Sequence, residues 1–157
     1  MKEILRNQYK ESIPRELKDS PQWILFQKVP HTNRFGETKT AKIPMSALTL
    51  SSSDWNSRKM WTSFEVALYA LVNSKADGLA FVLSSGDPFV YIDLDHCIEN
   101  DSLSLPAKAI VETFTGSYME LSQSKQGIHI FCKGQVPGNL NSQVNGVEIY
   151  QGNHCIA

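Results

Sequence analysis

The sequence is poor in cysteine, in long apolar runs and in excess charge, and each shortage excludes a class of protein. Its 157 residues include three cysteines, Cys97, Cys132 and Cys155, which are far apart and form no Cys-x-x-Cys pair. An odd number of widely spaced cysteines indicates free thiols in a reducing compartment, and it argues against a disulfide framework or a zinc site. We therefore expect a cytoplasmic protein.

No segment is apolar over the length that crosses a membrane, and the first residues lack the apolar core of a signal peptide. The chain has 15 basic and 16 acidic side chains, so its formal net charge is −1. This balance excludes a histone-like protein that binds nucleic acid through its overall charge. An enzyme that holds nucleic acid in a local groove stays compatible with it, and we expect no membrane partner.

The order of strand-like and helix-like segments predicts an α+β fold with a mostly antiparallel or mixed sheet. We expect a helical arm over residues 1–20 and one domain over residues 21–157. Residues 22–28 and 40–44 predict a hairpin, with Pro44 at a sheet edge or a strand end. Residues 78–83 and 89–94 are also expected to pair as a hairpin, because a turn of small and polar residues joins them.

Two helices are predicted from apolar residues that recur at helical spacing. The first begins with Thr62 as N-cap and Glu65 three residues later, which is the pattern of a capping box. The second begins with Ser104 as cap and carries Pro106 in its first turn. Their apolar stripes predict core packing and carry no chemistry.

The most informative stretch is the strand-like segment 89–96. Alternation places Ile92 and Leu94 on one face, in the core with Trp23, and places Asp93 and Asp95 on the other. Paired carboxylates repel each other and resist desolvation, and a divalent cation commonly compensates for both costs. The alternative, which stays open, is a strand that ends at Leu94 with Asp95 in a solvated turn.

Two later strands also place one ionisable residue between apolar neighbours, namely His129 and Glu148. Each alone is more often a packed or surface residue. Taken together with Asp93 and Asp95, they form the set that two-metal phosphoryl transfer requires. The loop before His129 contains Ser122, Ser124, Lys125 and Gly127, which can contact phosphates or can form an ordinary connector.

Several segments occur in an order that resembles the primase-polymerase (prim-pol) domain of phage, plasmid and other mobile-element replication proteins, in the archaeo-eukaryotic primase superfamily. The resemblance covers roughly residues 20–157. It rests on Trp23 to Phe26, Lys42-Ile43-Pro44, Trp61-x-x-Phe64, residues 78–83, residues 87–97, Ser122-x-Ser124-x-x-Gly127-Ile128-His129 and residues 146–150.

The resemblance implies a DNA primase or polymerase, a template-dependent nucleotidyltransferase with an RRM-like sheet beside an N-terminal helix and strand module. Asp93, Asp95 and Glu148 would be catalytic and would bind Mg²⁺ or Mn²⁺. The incoming nucleoside triphosphate would contact His129, with Ser122, Ser124, Lys125 and Gly127. Single-stranded DNA template would be held by basic side chains, and the candidates are Lys39, Lys42 and Lys133, with Lys125.

The chain departs from the family pattern at two places. Lys125 stands where members usually have glycine after Ser124, and the arginine that usually follows the third motif is missing between Gly152 and Ala157. Related proteins also continue into a helicase or a further primase segment. A truncated fragment, a stand-alone primase that recruits a replicative helicase in trans, and a degenerate copy stay open.

Two hypotheses of function follow. The first is a nucleotidyltransferase that makes or extends primers. The second is a module that keeps the fold and binds DNA or a replication partner without catalysis. The clustered acids favour the first, and the missing arginine favours the second.

Overall fold

The structure is a computed structural model, and it describes residues 2–52, 54–142 and 146–157. Four helices are present in these ranges: α1 (Lys2–Ser12), α2 (Arg15–Lys18), α3 (Phe64–Asn73) and α4 (Leu105–Thr113), with a 3₁₀ turn at Arg58–Met60. The strands are β1 (Trp23–Thr32), β2 (Thr38–Met45), β3 (Gly78–Leu83), β4 (Phe89–Leu94), β5 (Ile98–Glu99), β6 (Ser102–Leu103), β7 (Tyr118–Leu121), β8 (Ile128–Lys133), β9 (Leu140–Ser142), β10 (Val147–Tyr150) and β11 (His154–Ile156).

The chain divides into two compact units. The first consists of residues 1–83 and 155–157, and the second of residues 84–154. The predicted α+β class with mostly antiparallel sheets is confirmed, because the strand pairs β1–β2, β1–β3, β4–β8, β4–β10, β7–β8 and β9–β10 are all antiparallel. None of the helices in the described part of the chain is long and apolar enough to cross a membrane.

The first unit contains a sheet in the order β11-β3-β1-β2. The predicted hairpin of β1 and β2 is confirmed, and β2 with Pro44 lies at the sheet edge. Trp23 is buried as expected, with its ring edge against Phe64 and Phe81. Its indole N–H donates to the Leu17 carbonyl at 2.9 Å, which satisfies the buried polar atom.

The cap of α3 differs from the prediction by one residue. Ser63 is the N-cap, and its hydroxyl accepts a hydrogen bond from the Val66 amide. Thr62 instead pairs with Trp23, each donating its backbone N–H to the other's carbonyl, at 3.0 and 3.1 Å. The bridge holds Thr62 in extended conformation, so the next hydroxyl caps the helix. The predicted Ser104 cap of α4 is confirmed.

The second unit is built on a sheet in the order β7-β8-β4-β10-β9, with β4 in the centre. The expected hairpin of β3 with β4 is wrong, because these strands belong to different sheets. One face of the second sheet is apolar and buries Val90, Ile92 and Leu94 in a cluster with Ala107 of α4. The face that carries Asp93 is therefore opposite to this core, as alternation predicts.

Candidate active site

Five polar side chains form one line across the five-stranded sheet, because the strand register places them opposite one another. Asp93 on β4 lies opposite His129 on β8 and opposite Glu148 on β10. The line continues to Glu120 on β7 and to Asn141 on β9. Antiparallel partners point to the same side of a sheet. The three strand residues singled out from the sequence, Asp93, His129 and Glu148, are thus brought together.

Each of the three acids in this line accepts a hydrogen bond from a tyrosine hydroxyl. The tyrosine stands two residues from the acid on the same strand and so shares its face. The pairs are Tyr91 with Asp93 at 3.2 Å, Tyr118 with Glu120 at 2.7 Å, and Tyr150 with Glu148 at 2.6 Å. Burial, followed by the hydrogen bond to Glu148, raises the pKa of Tyr150 to about 12. This hydroxyl therefore stays a donor at neutral pH.

The carboxylate of Asp93 is only partly satisfied. Its Oδ2 accepts from Tyr91, whereas its Oδ1 is buried and has no hydrogen-bond partner among the described residues. His129 Nε2 lies 3.7 Å from Oδ1, which is too far for a hydrogen bond. Burial is the largest cause that raises the pKa of Asp93; His129 opposes the shift, and the charges of Asp95 and Glu148 add to it. A buried oxygen without a donor is costly, and a cation would satisfy it.

Asp95 lies outside the strand, and here the structure differs from the expected side-by-side pair. β4 ends at Leu94, and Asp95 occupies the exposed turn that follows, with its backbone N–H donating to the Gly146 carbonyl at 2.8 Å. The charge of Asp95 still raises the pKa of Asp93. Within residues 2–52, 54–142 and 146–157, no three His, Cys, Asp or Glu side chains are grouped closely enough to hold a metal ion.

Glu120 is a site residue that the sequence interpretation missed. Its Oε1 lies 3.2 Å from His129 Nδ1, and its Oε2 accepts from the Tyr118 hydroxyl. A carboxylate at Nδ1 favours the tautomer with its proton on that nitrogen, which leaves Nε2 directed at Asp93. His129 itself is buried, although it lies on the face opposite the core. The signal was present, because Tyr118-x-Glu120 repeats the pattern of Tyr91-x-Asp93.

Aromatic rings form a second line beside the acids on the same face. Tyr91 lies opposite Phe131 and opposite Tyr150 in the register, and Phe131 lies opposite Tyr118. His154 stacks on Tyr150 with 3.7 Å between ring centroids, and burial lowers the pKa of His154. These rings restrict the tyrosines whose hydroxyls hold the acids.

The loop between β7 and β8 is closed by its own side chains. Ser122 Oγ accepts from the Gly127 amide at 3.0 Å and lies 3.0 Å from Ser124 Oγ. Lys125 has a φ of 62°, the left-handed region that glycine adopts most readily. The lysine therefore occupies a backbone conformation in which a glycine would be favoured. Ser124 and Lys125 are exposed, and Ser122 is half-buried.

Two glycines bring the neighbouring strands close to the end of β4. A Cβ on Gly127 would lie 2.6 Å from the Leu94 carbonyl oxygen, and a Cβ on Gly146 would lie 2.8 Å from the Asp95 carbonyl oxygen. Both distances are too short for real contacts. Gly127, expected to serve nucleotide binding, thus has a packing role beside the turn that carries Asp95.

The three lysines predicted to bind DNA lie on two units. Lys39 and Lys42 are exposed on β2 in the first unit, and Lys133 is exposed at the end of β8 in the second. Lys42 donates to the Ala157 carbonyl and lies over the Phe26 ring, 5.7 Å from its centroid.

No known family profile matches the chain. Over 137 residues it is 31% identical to the DNA primase-polymerase of Nitratiruptor phage NrS-1. The match covers 83% of this chain and 18% of the phage protein, so the chain spans less than a fifth of that relative's length. This similarity supports a relationship to phage primase-polymerases.

Proposed function

We propose that the chain is a template-dependent nucleotidyltransferase of the prim-pol type, in the archaeo-eukaryotic primase superfamily, that serves replication of a phage, plasmid or other mobile element. The observation that carries the proposal is the line of Asp93, His129 and Glu148 across three strands. Acids beside a histidine on one sheet face are suited to phosphoryl transfer. The 31% identity to a phage primase-polymerase supports the same activity.

In this proposal Asp93, Asp95 and Glu148 would hold Mg²⁺ or Mn²⁺, which requires their carboxylates to come closer together than they lie in the structure. Carboxylate oxygens are the ligands that these hard cations prefer, and the unpartnered Oδ1 of Asp93 suits a cation. When bound, the metal would polarise the phosphoryl group and lower the pKa of the attacking hydroxyl. The work of the chain is to fix the ligands, and the hydroxyls of Tyr91 and Tyr150 restrict the rotamers of Asp93 and Glu148.

His129 would contact the triphosphate of the incoming nucleotide from the Nε2 side of its ring, because Glu120 occupies the Nδ1 side. Donation to a phosphate oxygen requires a proton on both ring nitrogens. Ser124 and Lys125 would add a hydroxyl and a positive charge from the exposed loop. Ser122 serves mainly to close that loop, since its Oγ accepts from the Gly127 amide. Template DNA would contact exposed lysines such as Lys133, and a helicase partner stays a prediction from the resemblance.

The experiment is primer extension on a single-stranded template with labelled nucleotides and Mn²⁺. Glu148→Gln preserves shape and removes charge, and we expect turnover to fall by about 10²-fold or more with template affinity nearly unchanged. Glu99→Gln is the matched control, because Glu99 is an exposed acid on β5 of the same unit. Extension by Glu148→Gln at the rate of the parent would contradict the proposal.

A specific observation favours a second function, a non-catalytic module that binds DNA. The described residues contain no ready group of three metal ligands, and Tyr150 and Asn141 both donate to Glu148. If the parent chain binds DNA and is folded but shows no extension with Mn²⁺ or Mg²⁺, this second function replaces the first.

A further inference from the structure

The outer part of the β1–β2 hairpin, residues 27–43, differs in charge from the rest of the chain, and we call it the basic ribbon. Residues 27–40 are exposed except for Asn33, so both ribbon faces are open there. The ribbon holds four of the chain's 15 basic side chains and one of its 16 acidic ones. The basic residues are Lys28, Arg34, Lys39 and Lys42, and the acid is Glu37.

The strand register places two lysines opposite one another and a histidine opposite a third. Lys28 pairs with Lys42 on one face, and His31 pairs with Lys39 on the other. Directly opposed like charges destabilise an antiparallel pair, so Lys28 gains no stability from its position opposite Lys42. Lys42 itself donates to the Ala157 carbonyl and lies over the Phe26 ring.

Two acids lie near these basic side chains: the Glu37 carboxylate accepts from the Asn33 side-chain amide at 2.8 Å, and the Asp77 carboxylate accepts from the Lys28 backbone N–H at 2.7 Å. Within residues 27–43 the four basic side chains still outnumber the one acid. A polyanion lying along the ribbon would relieve the repulsion.

The ribbon tip presents an ordered aromatic ring. The Asn33 side chain accepts from the amides of Phe35 and Glu37 at 2.9 and 3.1 Å, and Gly36 supplies the φ of 83° that the turn requires. Phe35 is nevertheless 74% exposed, and the Arg34 guanidinium lies 4.8 Å from its ring centroid. An apolar ring exposed to water next to a guanidinium, on a turn whose backbone is held by hydrogen bonds, offers a planar surface on which a nucleobase can stack.

We propose that the basic ribbon binds single-stranded DNA, with Lys28 and Lys39 contacting phosphates and with Phe35 stacking on an unpaired base. A single strand fits better than a duplex, because only unstacked bases expose a face to Phe35. This deepens the proposed function by naming the surface that grips the template, and it rests on that function for the identity of the strand as template. Binding by the ribbon needs neither the acids nor a metal.

The stacking part is tested by fluorescence anisotropy with a labelled oligothymidylate of about 20 nucleotides, in EDTA, on the full 157-residue chain. Phe35→Ala should weaken binding by about fivefold to a hundredfold, and Phe35→Trp should restore it. Tyr69→Ala is the matched control, because Tyr69 is an aromatic of α3 that is 69% exposed. Thermal melts of all three variants should match the parent, since the side chains are exposed.

The electrostatic part is tested by the dependence of affinity on salt. Removing two phosphate contacts with Lys28→Ala/Lys39→Ala should reduce the slope of log K against log salt by about 1.4, at about 0.7 per contact for a single strand. The control Lys59→Ala/Lys75→Ala removes two exposed lysines of the same unit that lie outside the ribbon. It should leave the slope within about 0.3 of the parent.

Two outcomes would overturn the proposal. One is equal affinity of Phe35→Ala and Tyr69→Ala for the single strand, and the other is a loss for Phe35→Ala that is as large on a duplex as on a single strand. Its failure is distinguishable from failure of the proposed function. If the parent extends primers and the ribbon variants bind DNA as tightly as the parent, only the proposed role of the ribbon is refuted. If the ribbon variants lose DNA binding but the parent does not extend primers, only the proposed catalytic activity is refuted.

Discussion

The two faces of the five-stranded sheet are made by alternate residues of the same strands, yet they are held in different ways. On one face Val90, Ile92 and Leu94 are buried against α4, where the free energy comes from apolar burial that has no required direction. On the other face Asp93 depends on a few directed contacts, and one of its oxygens has none among the described residues. The apolar face therefore stabilises the fold, whereas the acid face lowers stability, and a bound ligand can offset this loss.

The largest effect on stability is expected from a substitution in the apolar face. Leu94 is 1% exposed, so Leu94→Ala should lower the free energy of unfolding by about 2–5 kcal/mol through lost burial and a cavity. Leu121→Ala is the control, because Leu121 is exposed on β7 and should cost less than about 0.5 kcal/mol. Urea midpoints measure both. Similar costs at the two positions would mean that the assignment of the core face is mistaken.

The next largest effect expected is the gain in folding stability when Mn²⁺ binds to the acid face. Saturation with Mn²⁺ at about 100 times its Kd should stabilise the parent by about 2.7 kcal/mol, because the ion binds only the folded chain. Asp93→Asn should abolish most of this gain. Thermal melts with and without Mn²⁺ measure it, with Asp101→Asn, an exposed aspartate, as control. A gain that persists in Asp93→Asn would place the metal elsewhere.

The same variant should have the opposite effect on stability in EDTA, and the size of this effect depends on pH. Because burial raises the folded pKa of Asp93 above its ordinary 3.8, the folded state binds more protons than the unfolded state. The contribution of this group to stability is therefore fully present below pH 3.8 and falls as pH rises to the folded pKa. The Asp93→Asn variant does not undergo this loss of stability, because asparagine does not ionise. We expect it to be more stable than the parent at pH 7 in EDTA, and a lower melting temperature would count against the burial argument.

A smaller effect is expected at Glu120. Glu120→Gln keeps the shape but weakens the contact with His129 Nδ1, so unfolding should become easier by about 1 kcal/mol. Triphosphate affinity, measured by isothermal titration, should fall about tenfold because His129 is less well oriented. Tyr118→Phe removes only the second partner of Glu120 and should have a smaller effect. Unchanged affinity in Glu120→Gln would leave Glu120 a purely structural role.

The smallest effect concerns the loop beside the acid face. Lys125 adopts a left-handed conformation that costs an ordinary residue about 1–2 kcal/mol. A glycine at this position would avoid that cost, but part of the benefit is lost because glycine is more flexible in the unfolded chain. Lys125→Gly should therefore stabilise the chain by at most about 1 kcal/mol. Gln126→Gly, at the neighbouring position without positive φ, should destabilise it by a similar amount. Denaturant midpoints measure both effects. If the two variants shift the midpoint in the same direction relative to the parent, the argument from backbone strain is refuted.

Features that depend on local period were predictable from the sequence. Alternation along β4 separated Leu94 from Asp93, and the spacing around Ser104 fixed the start of α4. The same period placed His129 and Glu148 on the non-core faces of their own strands, because each lies between two apolar strand neighbours. These properties need no knowledge of which strands are neighbours.

Features that depend on distant partners were not predictable in the same way. The turn between β3 and β4 has hairpin composition, but the strands pair with β1 and β8 in separate sheets. Thr62 has the chemistry of a cap and lost that role to a bridge with Trp23, which is 39 residues away. The Tyr118-x-Glu120 pattern was visible in the sequence, but the contact of Glu120 with His129 depends on the register of β7 with β8.

The pair of glycines at the end of β4 bears on how a short motif of the type small-x-His should be interpreted. Gly127 lies where even an alanine would collide with the Leu94 carbonyl, and Gly146 is equally confined on the other side by Asp95. Saturation mutagenesis would thus find both positions intolerant in a chain that had lost all activity but still folded. Intolerance at Gly127 would report the space available between two strands, whereas intolerance at His129 that appears only in an activity screen would report chemistry.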